Sequence, residues 1–229
     1  NEFTFKLGYL INHLLKLAQK PKQNREIVQR SLNILSMIYL KSFSVQSYTD
    51  ITINIDENNA SHRYAVQFAG FTLPSVASAI GKLMHICAGA DYHKLHQSII
   101  VSGLDLFGTV LEIAFNPKQT FPIEQTNNIA ANSNLSQIPL SIHFNQKWFD
   151  DTTTCLAPIV SSTIDILLEH PRQAVRNSLL KLTSRLLLNS CPKFMLKFIK
   201  ILLRVPIAFY AMSECQQFID QFQNHILAC

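Results

Sequence analysis

Residues 156–188 of this chain read LAPIVSSTIDILLEHPRQAVRNSLLKLTSRLLL. Apolar side chains recur every three or four residues over 156–168 and again over 175–187, which is the period of an amphipathic helix. The residues between the two runs, 169–171, are polar and end in Pro171, so we expect a tight turn there. Two such helices cannot bury both apolar faces alone and need stacked neighbours. The segment therefore predicts one helix pair of a HEAT-type repeat.

Similar periodic runs elsewhere in the chain predict an all-α fold, a HEAT-like α-solenoid of about four stacked antiparallel helix pairs. The expected pairs lie at about 3–41, 71–115, 147–190 and 193–228. Two polar segments, 42–66 and 116–145, are expected to be flexible insertions. We expect Pro74 in the opening turn of its helix and Pro206 where a helix kinks or ends.

The composition is that of a globular protein, with 48% hydrophobic residues among 229 and a net charge of +5. The most apolar stretch, 194–212, carries Lys197, Lys200 and Arg204. A charge at the centre of a membrane helix costs about 2.5–3.5 kcal/mol, so we expect no membrane span. The chain starts without Met and ends within an apolar pattern, so we interpret it as part of a longer protein.

The aromatic and sulfur side chains in the helical runs are expected to pack in the core. Six aromatic residues at helical spacing belong to this set: Phe194, Phe198, Phe209, Tyr210, Phe218 and Phe222. The five cysteines are far apart and form no Cys-x-x-Cys pair, so we expect buried free thiols in a reducing compartment. The expected location is the cytoplasm, with the nucleus as a second location.

The candidate partner-binding residues are basic. Seven of them lie in a stretch without acidic residues between Glu169 and Glu214, and we call them the basic ridge: Arg172, Lys181, Arg185, Lys193, Lys197, Lys200 and Arg204. The ridge either contacts an acidic partner, such as a phosphorylated segment or nucleic acid, or is ordinary solvated helix surface. Arg176 is expected to brace its own turn. Trp148 either fastens the third helix pair internally or anchors a partner.

Candidate chemistry is sparse. His93 and His96, beside Asp91 and Cys87, form the best metal-like cluster. Zinc needs three or four converging ligands, and no matching pair follows downstream, so we predict no metal and no cofactor. Nucleophile motifs and Gly-rich phosphate loops are absent from the sequence. We therefore expect no enzymatic activity. The alternative is an enzyme whose site uses His93, His96 and Asp91.

Two blocks of sequence resemble a known family. The first runs Phe71-x-Leu73-Pro74-x-Val76, Ile80, Leu83, Gly89-x-Asp91-Tyr92 and His96-x-x-Ile99-Ile100-Val101-x-Gly103-Leu104-x-Leu106. The second has Trp148 leading into a helix, then His170-x-x-x-x-Val175-Arg176, Leu180, Leu187 and Cys191. Over roughly 70–190 the chain resembles the N-terminal half of the TELO-two-interacting protein one family. The turn at 92–95 is less charged than the family pattern.

The resemblance implies a non-catalytic helical scaffold, because that family forms the largest subunit of the TTT cochaperone complex. The implied partners are the other TTT subunits, the heat-shock chaperone with its RuvB-like adaptor machinery, and phosphatidylinositol-3-kinase-related kinases, whose maturation and stability the complex supports. The resemblance assigns no partner-binding residue. The alternative is a HEAT-repeat nucleic-acid-binding or karyopherin-like protein that uses the basic ridge, and we favour it less.

Overall fold

The structure, a computed structural model, describes residues 2–19, 24–44, 55–88, 96–117 and 144–210, with residues 216, 219 and 220. Within these residues all regular structure is helical. The helices are α1 (Glu2–Ala18), α2 (Arg25–Ser44), α3 (Ile55–Ala88), α4 (Gln97–Ala114), α5 (Gln146–Leu168), α6 (Gln173–Asn189), α7 (Pro192–Leu202) and α8 (Arg204–Ala208). The all-α fold class is confirmed.

The helices stack in two rows. Helices α1, α3, α5 and α7 pack in that order in the first row, and α2, α4, α6 and α8 pack in the same order in the second. Each odd-numbered helix also packs against the even-numbered helix that follows it. One continuous apolar core runs through both rows, from Ile11 in α1 to Phe209 after α8. This arrangement is the α-solenoid that the periodicity predicts.

The turn between α5 and α6 has the expected construction. His170 is buried, and its Nδ1 accepts the backbone N–H of Arg172 at 3.2 Å. The Arg176 guanidinium donates from Nη1 to the carbonyl of His170 at 2.9 Å and to that of Pro171 at 3.2 Å. These bonds satisfy two carbonyls of the turn itself, just beyond the C-cap of α5 at Glu169. The prediction that Arg176 braces its own turn is confirmed.

Helix α3 is longer than the periodicity predicts. It begins at Ile55, within the expected insertion 42–66, and not near Phe71. The residues that follow Ile55 in the sequence are polar and carry no apolar period, so the pattern does not mark this end of the helix. Pro74 consequently lies inside α3 and not in an opening turn. It has no N–H to donate to the carbonyl of Gly70, four residues earlier.

The fourth helix pair is interrupted where Pro206 predicts. Proline has no N–H for the carbonyl four residues earlier, which belongs to Leu202, and α7 ends at Leu202. The chain resumes as the short helix α8, whose Ile207 N–H donates to the Leu203 carbonyl at 3.2 Å. Most of the second helix expected in this pair, and residues 118–143 of the insertion 116–145, lie outside the described residues.

Among the described side chains the core predictions hold with two exceptions, and the side chains of Cys87, Cys215 and Cys229 lie outside that set. Phe194, Phe198 and Phe209 are buried, whereas Tyr210 is 68% exposed because it follows the last turn of α8. Phe218 and Phe222 lie outside the described residues. Cys191 is a buried free thiol as expected, and Cys155 is free but exposed.

A main-chain hydrogen bond joins the second helix pair to the start of the fourth. The backbone N–H of Cys191, just before α7, donates to the carbonyl of Phe115, just after α4, at 2.7 Å. The Phe115 ring is fully buried, and its centroid lies 4.3 Å from that of Phe194 in α7.

A glycine brings α4 and α6 close together, since a Cβ on Gly108 would lie 2.8 Å from Leu182 Cδ1.

Among the described residues, one helix is long and apolar enough to cross a membrane, α4, and 67% of it is buried. It packs against α2, α3 and α6. Its apolar character is therefore that of a core helix in the stack.

Candidate interaction surface

The structure divides the basic ridge between α6 on one side and α7 with α8 on the other. Arg172 precedes α6, and Lys181 and Arg185 lie in it, next to α4 in the second row. The remaining ridge residues, Lys193, Lys197, Lys200 and Arg204, lie in α7 and α8. Helix α7 packs against α5 in the first row. The ridge is therefore two groups of cations and not one stripe.

The α6 cations face carboxylates of α4. Arg185 donates to Glu112 Oε2 from Nη2 and, at 3.1 Å, from Nε, and both side chains are only 25% exposed. Asn189 donates to the other carboxylate oxygen of Glu112 at 2.8 Å. The Lys181 ammonium lies 3.5 Å from Asp105 Oδ1 on the solvent side. These contacts join the second helix pair to the third.

The first cations of α7 face the beginning of α5. Lys193 Nζ donates to Gln146 Oε1 at 3.1 Å, and Lys197 Nζ donates to Asp150 Oδ1 at 3.2 Å. Hydrogen bonds from Gln146 and then from Lys197 hold the pKa of Asp150 below its usual value. Both hydrogen bonds therefore favour the charged form of the carboxylate.

Arg204 in α8 forms an ion pair with Asp165 in α5. Four of the seven ridge cations are thus neutralised by carboxylates of neighbouring helices. Arg172 and Lys200 are exposed, and no described side chain pairs with either of them. Partner binding by the ridge stays a prediction, and these two residues are its available members.

Trp148 is half-buried between helices. Its ring centroid lies 4.5 Å from that of Phe144 and 5.7 Å from that of Phe115. A Cβ on Gly70 in α3 would lie 2.5 Å from Phe144 Cζ and 3.3 Å from Trp148 Cζ2, so Gly70 makes room for both rings. Trp148 thus fastens α5 to α3 and to the end of α4, which favours the internal role over the anchor role.

His96, the described member of the metal-like cluster, caps α4. Its Nδ1 accepts the backbone N–H of Ser98 at 3.2 Å, as an N-cap side chain does. The side chains of Cys87, Asp91 and His93 lie outside the described residues. Among the side chains that the structure does describe, no group of three or more His, Cys, Asp or Glu residues is placed to hold a metal ion.

An apolar surface on α2 was not predicted from the sequence. We call it the α2 outer face, and its residues are about half exposed: Ile27 45%, Ile34 45%, Met37 52% and Leu40 47%. The opposite face of α2 is buried through Val28, Leu32, Leu35 and Tyr39. The signal was available in the sequence, because apolar residues on both faces are unusual for a surface helix.

The inner face of α2 is fixed by a buried hydrogen bond to α3. Tyr39 is 1% exposed, and its hydroxyl donates to Thr72 Oγ1 at 2.7 Å. The Thr72 hydroxyl in turn donates to the Phe68 carbonyl at 2.8 Å. Burial raises the pKa of Tyr39 to about 12. This face is therefore committed to the core, and the outer face alone is available.

Stacked helix pairs joined by ion pairs define a helical-repeat domain. The chain matches the TTI1 N-terminal TPR domain family over residues 1–212 and belongs to that family. The resemblance drawn from the sequence is thereby confirmed. The family description names TPR repeats where the sequence predicts HEAT-type pairs, and both classes stack antiparallel helix pairs. No curated protein and no solved structure gave a significant match.

Proposed function

We propose that the chain is the N-terminal part of a non-catalytic scaffold that supports the maturation and stability of phosphatidylinositol-3-kinase-related kinases. The observation that carries this proposal is the family match, which spans residues 1–212 of the chain. The two-row stack supports it, because a solenoid offers long exposed surfaces on which several proteins can assemble at once.

The proposed partners are the other TTT subunits, the kinase clients, and the heat-shock chaperone with its RuvB-like adaptors. A scaffold must keep its surfaces in a fixed relative position. The pairs Arg185–Glu112 and Lys197–Asp150 serve this requirement, since each connects one helix pair to the next. The proposed locations are the cytoplasm and the nucleus.

The test is affinity purification of the tagged full-length protein from its own cells, with and without nuclease, followed by mass spectrometry. We expect the other TTT subunits, the kinases or the chaperone adaptors, in equal amounts under both conditions. Recovery of partners only without nuclease would overturn the proposal and favour a nucleic-acid-binding protein. Binding through many phosphates would also weaken steeply with salt.

A variant tests whether the ridge contributes. Arg172→Glu with Lys200→Glu reverses the two ridge cations that have no described partner. Loss of one protein partner would assign its contact to these positions. The matched control is Lys147→Glu, which reverses an exposed lysine of α5 outside the ridge. An unchanged partner set in both variants would contradict the ridge prediction and leave the scaffold proposal standing.

A further inference from the structure

One edge of the stack collects the turns inside the helix pairs. Asp105 and Lys181, which form an ion pair, are each the ninth residue of their helix, so α4 and α6 begin level with each other. Near the start of α2, Gln29 Oε1 accepts a hydrogen bond of 2.9 Å from the Ser98 hydroxyl near the start of α4. We call this edge the turn edge: it consists of the first turns of α2, α4 and α6 and the last turns of α1, α3 and α5.

Three cations of the turn edge have no carboxylate partner among the described side chains. Lys16 lies in the last turn of α1, Arg25 is the first residue of α2, and Arg172 is the N-cap residue of α6. All three are exposed. The ion pairs that the described residues form involve other cations. The charge of these three residues is therefore available to a partner.

The turn edge holds few carboxylates. The first turns of α4 and α6 carry no acidic residue. Glu26, in the first turn of α2, pairs with Arg30 of the same helix at 2.5 Å, whereas Glu169 at the C-cap of α5 is exposed. Further along α6 and α7, by contrast, carboxylates of neighbouring helices neutralise the cations. Among the described residues the turn edge therefore carries a net positive charge.

Helix stability does not explain the two arginines of this edge. The N-terminal end of a helix is positive, so a cation there is unfavourable and an acidic residue is favourable. Arg25 and Arg172 lie at such ends, and the Arg172 side chain makes no capping hydrogen bond. An anion bound between them would offset both the unpaired charges and the helix dipoles.

We propose that the turn edge binds an acidic segment of a partner protein in an extended conformation, with carboxylates that face Arg25 and Arg172. Packed helix axes lie about 8–10 Å apart, so the starts of α2 and α6, with α4 between them, are about 16–20 Å apart. An extended chain covers about 3.3–3.6 Å per residue, so about six residues reach from one arginine to the other. The inference rests on the proposed scaffold function and names a surface and the kind of segment that it binds.

The distribution of charge favours a protein segment over nucleic acid. Duplex DNA carries one phosphate charge per about 1.7 Å of its axis, whereas the unpaired cations of the turn edge are spread over a much longer distance. The exposed carboxylate of Glu169 lies in the same turn as Arg172 and would repel a continuous row of phosphates. A peptide can place a neutral residue opposite Glu169.

Peptide binding by the purified full-length protein tests the inference. The probe is a fluorescein-labelled peptide of about twelve residues in which Glu alternates with Ser, long enough to span the two arginines, and binding is followed by fluorescence anisotropy at physiological salt. We expect Arg25→Glu and Arg172→Glu each to weaken binding by about threefold or more, and the double variant by about tenfold or more. Failure of the wild type to bind the probe would overturn the inference.

The matched control is Lys147→Glu, which makes the same change of net charge at an exposed lysine near the start of α5, on the opposite edge of the stack. We expect its binding to be unchanged, and weakening equal to that of the arginine variants would overturn the inference. Glutamate suits a helix N-terminus, so both arginine variants should keep the helix content and melting temperature of the wild type or exceed them. Circular dichroism checks this, and weaker binding by a stable variant then reports on the surface itself.

A nucleic-acid competitor separates the two classes of partner. A duplex oligonucleotide of the same net charge as the peptide should compete weakly, and tighter binding of the oligonucleotide, lost in Arg25→Glu, would overturn the inference. Arg25 does not belong to the basic ridge, so its variant also separates the turn edge from the ridge.

Failure of the inference is distinct from failure of the proposed function. If the TTT subunits co-purify with the tagged protein but the acidic peptide does not bind, only the inference falls. If the intact protein recovers no partner at all, the proposed function falls as well.

Discussion

Replacing Glu112 and Arg185 by Ala, singly and together, measures how strongly one ion pair holds α4 to α6. Arg185 gives two N–H groups to one carboxylate oxygen of Glu112, and Asn189 gives a third to the other oxygen. Both charged side chains are 25% exposed. Such a partly desolvated contact should exceed the 0.2–1 kcal/mol of exposed pairs and approach the ~1.5–3 kcal/mol of hydrogen bonds to charged groups. We expect a coupling energy of about 1–2 kcal/mol.

The same two helices supply a control pair. Lys181 and Asp105 also connect α6 to α4, but their charged atoms are 3.5 Å apart and the side chains are 64% and 40% exposed. Their coupling energy should be about 0.5 kcal/mol or less. In 1 M salt, where the Debye length is about 3 Å, the control coupling should vanish and most of the Glu112–Arg185 coupling should remain.

The assay is urea unfolding of the 229-residue chain, followed by far-UV circular dichroism, for the wild type, four single variants and two double variants. The coupling energy is the part of each double-variant effect that the two single variants do not explain. Equal coupling for the two pairs, or a Glu112–Arg185 value indistinguishable from zero, would refute the reasoning that burial makes the difference.

Three further predictions concern buried or half-buried side chains. Tyr39 ionises at its ordinary pKa of 10.0 in the unfolded chain but only at about 12 in the folded chain. The free energy of unfolding should therefore fall by about 3 kcal/mol as pH rises between these two values. Tyr39→Phe should remove that loss in urea titrations at alkaline pH. Burial lowers the pKa of His170, so the unfolded chain takes up its proton at a higher pH than the folded chain does. Acidification below about pH 6.5 should therefore destabilise the wild type. Thermal melts of His170→Asn, which keeps an acceptor for the Arg172 N–H, should depend less on acid pH. Trp148→Ala should cost about 2–3 kcal/mol in urea because it removes the ring contacts with Phe115, whereas Leu196→Ala, at an exposed site, should change stability by no more than about 0.5 kcal/mol.

The helix pair at 156–188 could be predicted because its determinants are local. The apolar period marks both helices, and the polar residues before Pro171 mark the turn between them. The start of α3 at Ile55 could not be found in the same way. The first turns of a helix are often polar and carry no apolar period, so they look like loop sequence.

The ion pairs of the basic ridge also could not be predicted from the sequence. Helical spacing groups Arg185 and Lys197 with other cations on their own helices, but it does not show which neighbour each face meets. Their partners Glu112 and Asp150 come from other helix pairs, far away along the chain. Only the stacking of the rows reveals that these charges are already paired within the protein.

The hydrogen bond from the Cys191 N–H to the Phe115 carbonyl joins two junctions of the stack through main-chain atoms alone. Side-chain replacements at either position leave both bonding groups in place, and only proline at position 191 would delete the donor. The bond itself therefore does not depend on the identity of either side chain, whereas an ion pair does. When the protein is pulled or bent, we expect the end of α4 and the start of α7 to stay together at this bond.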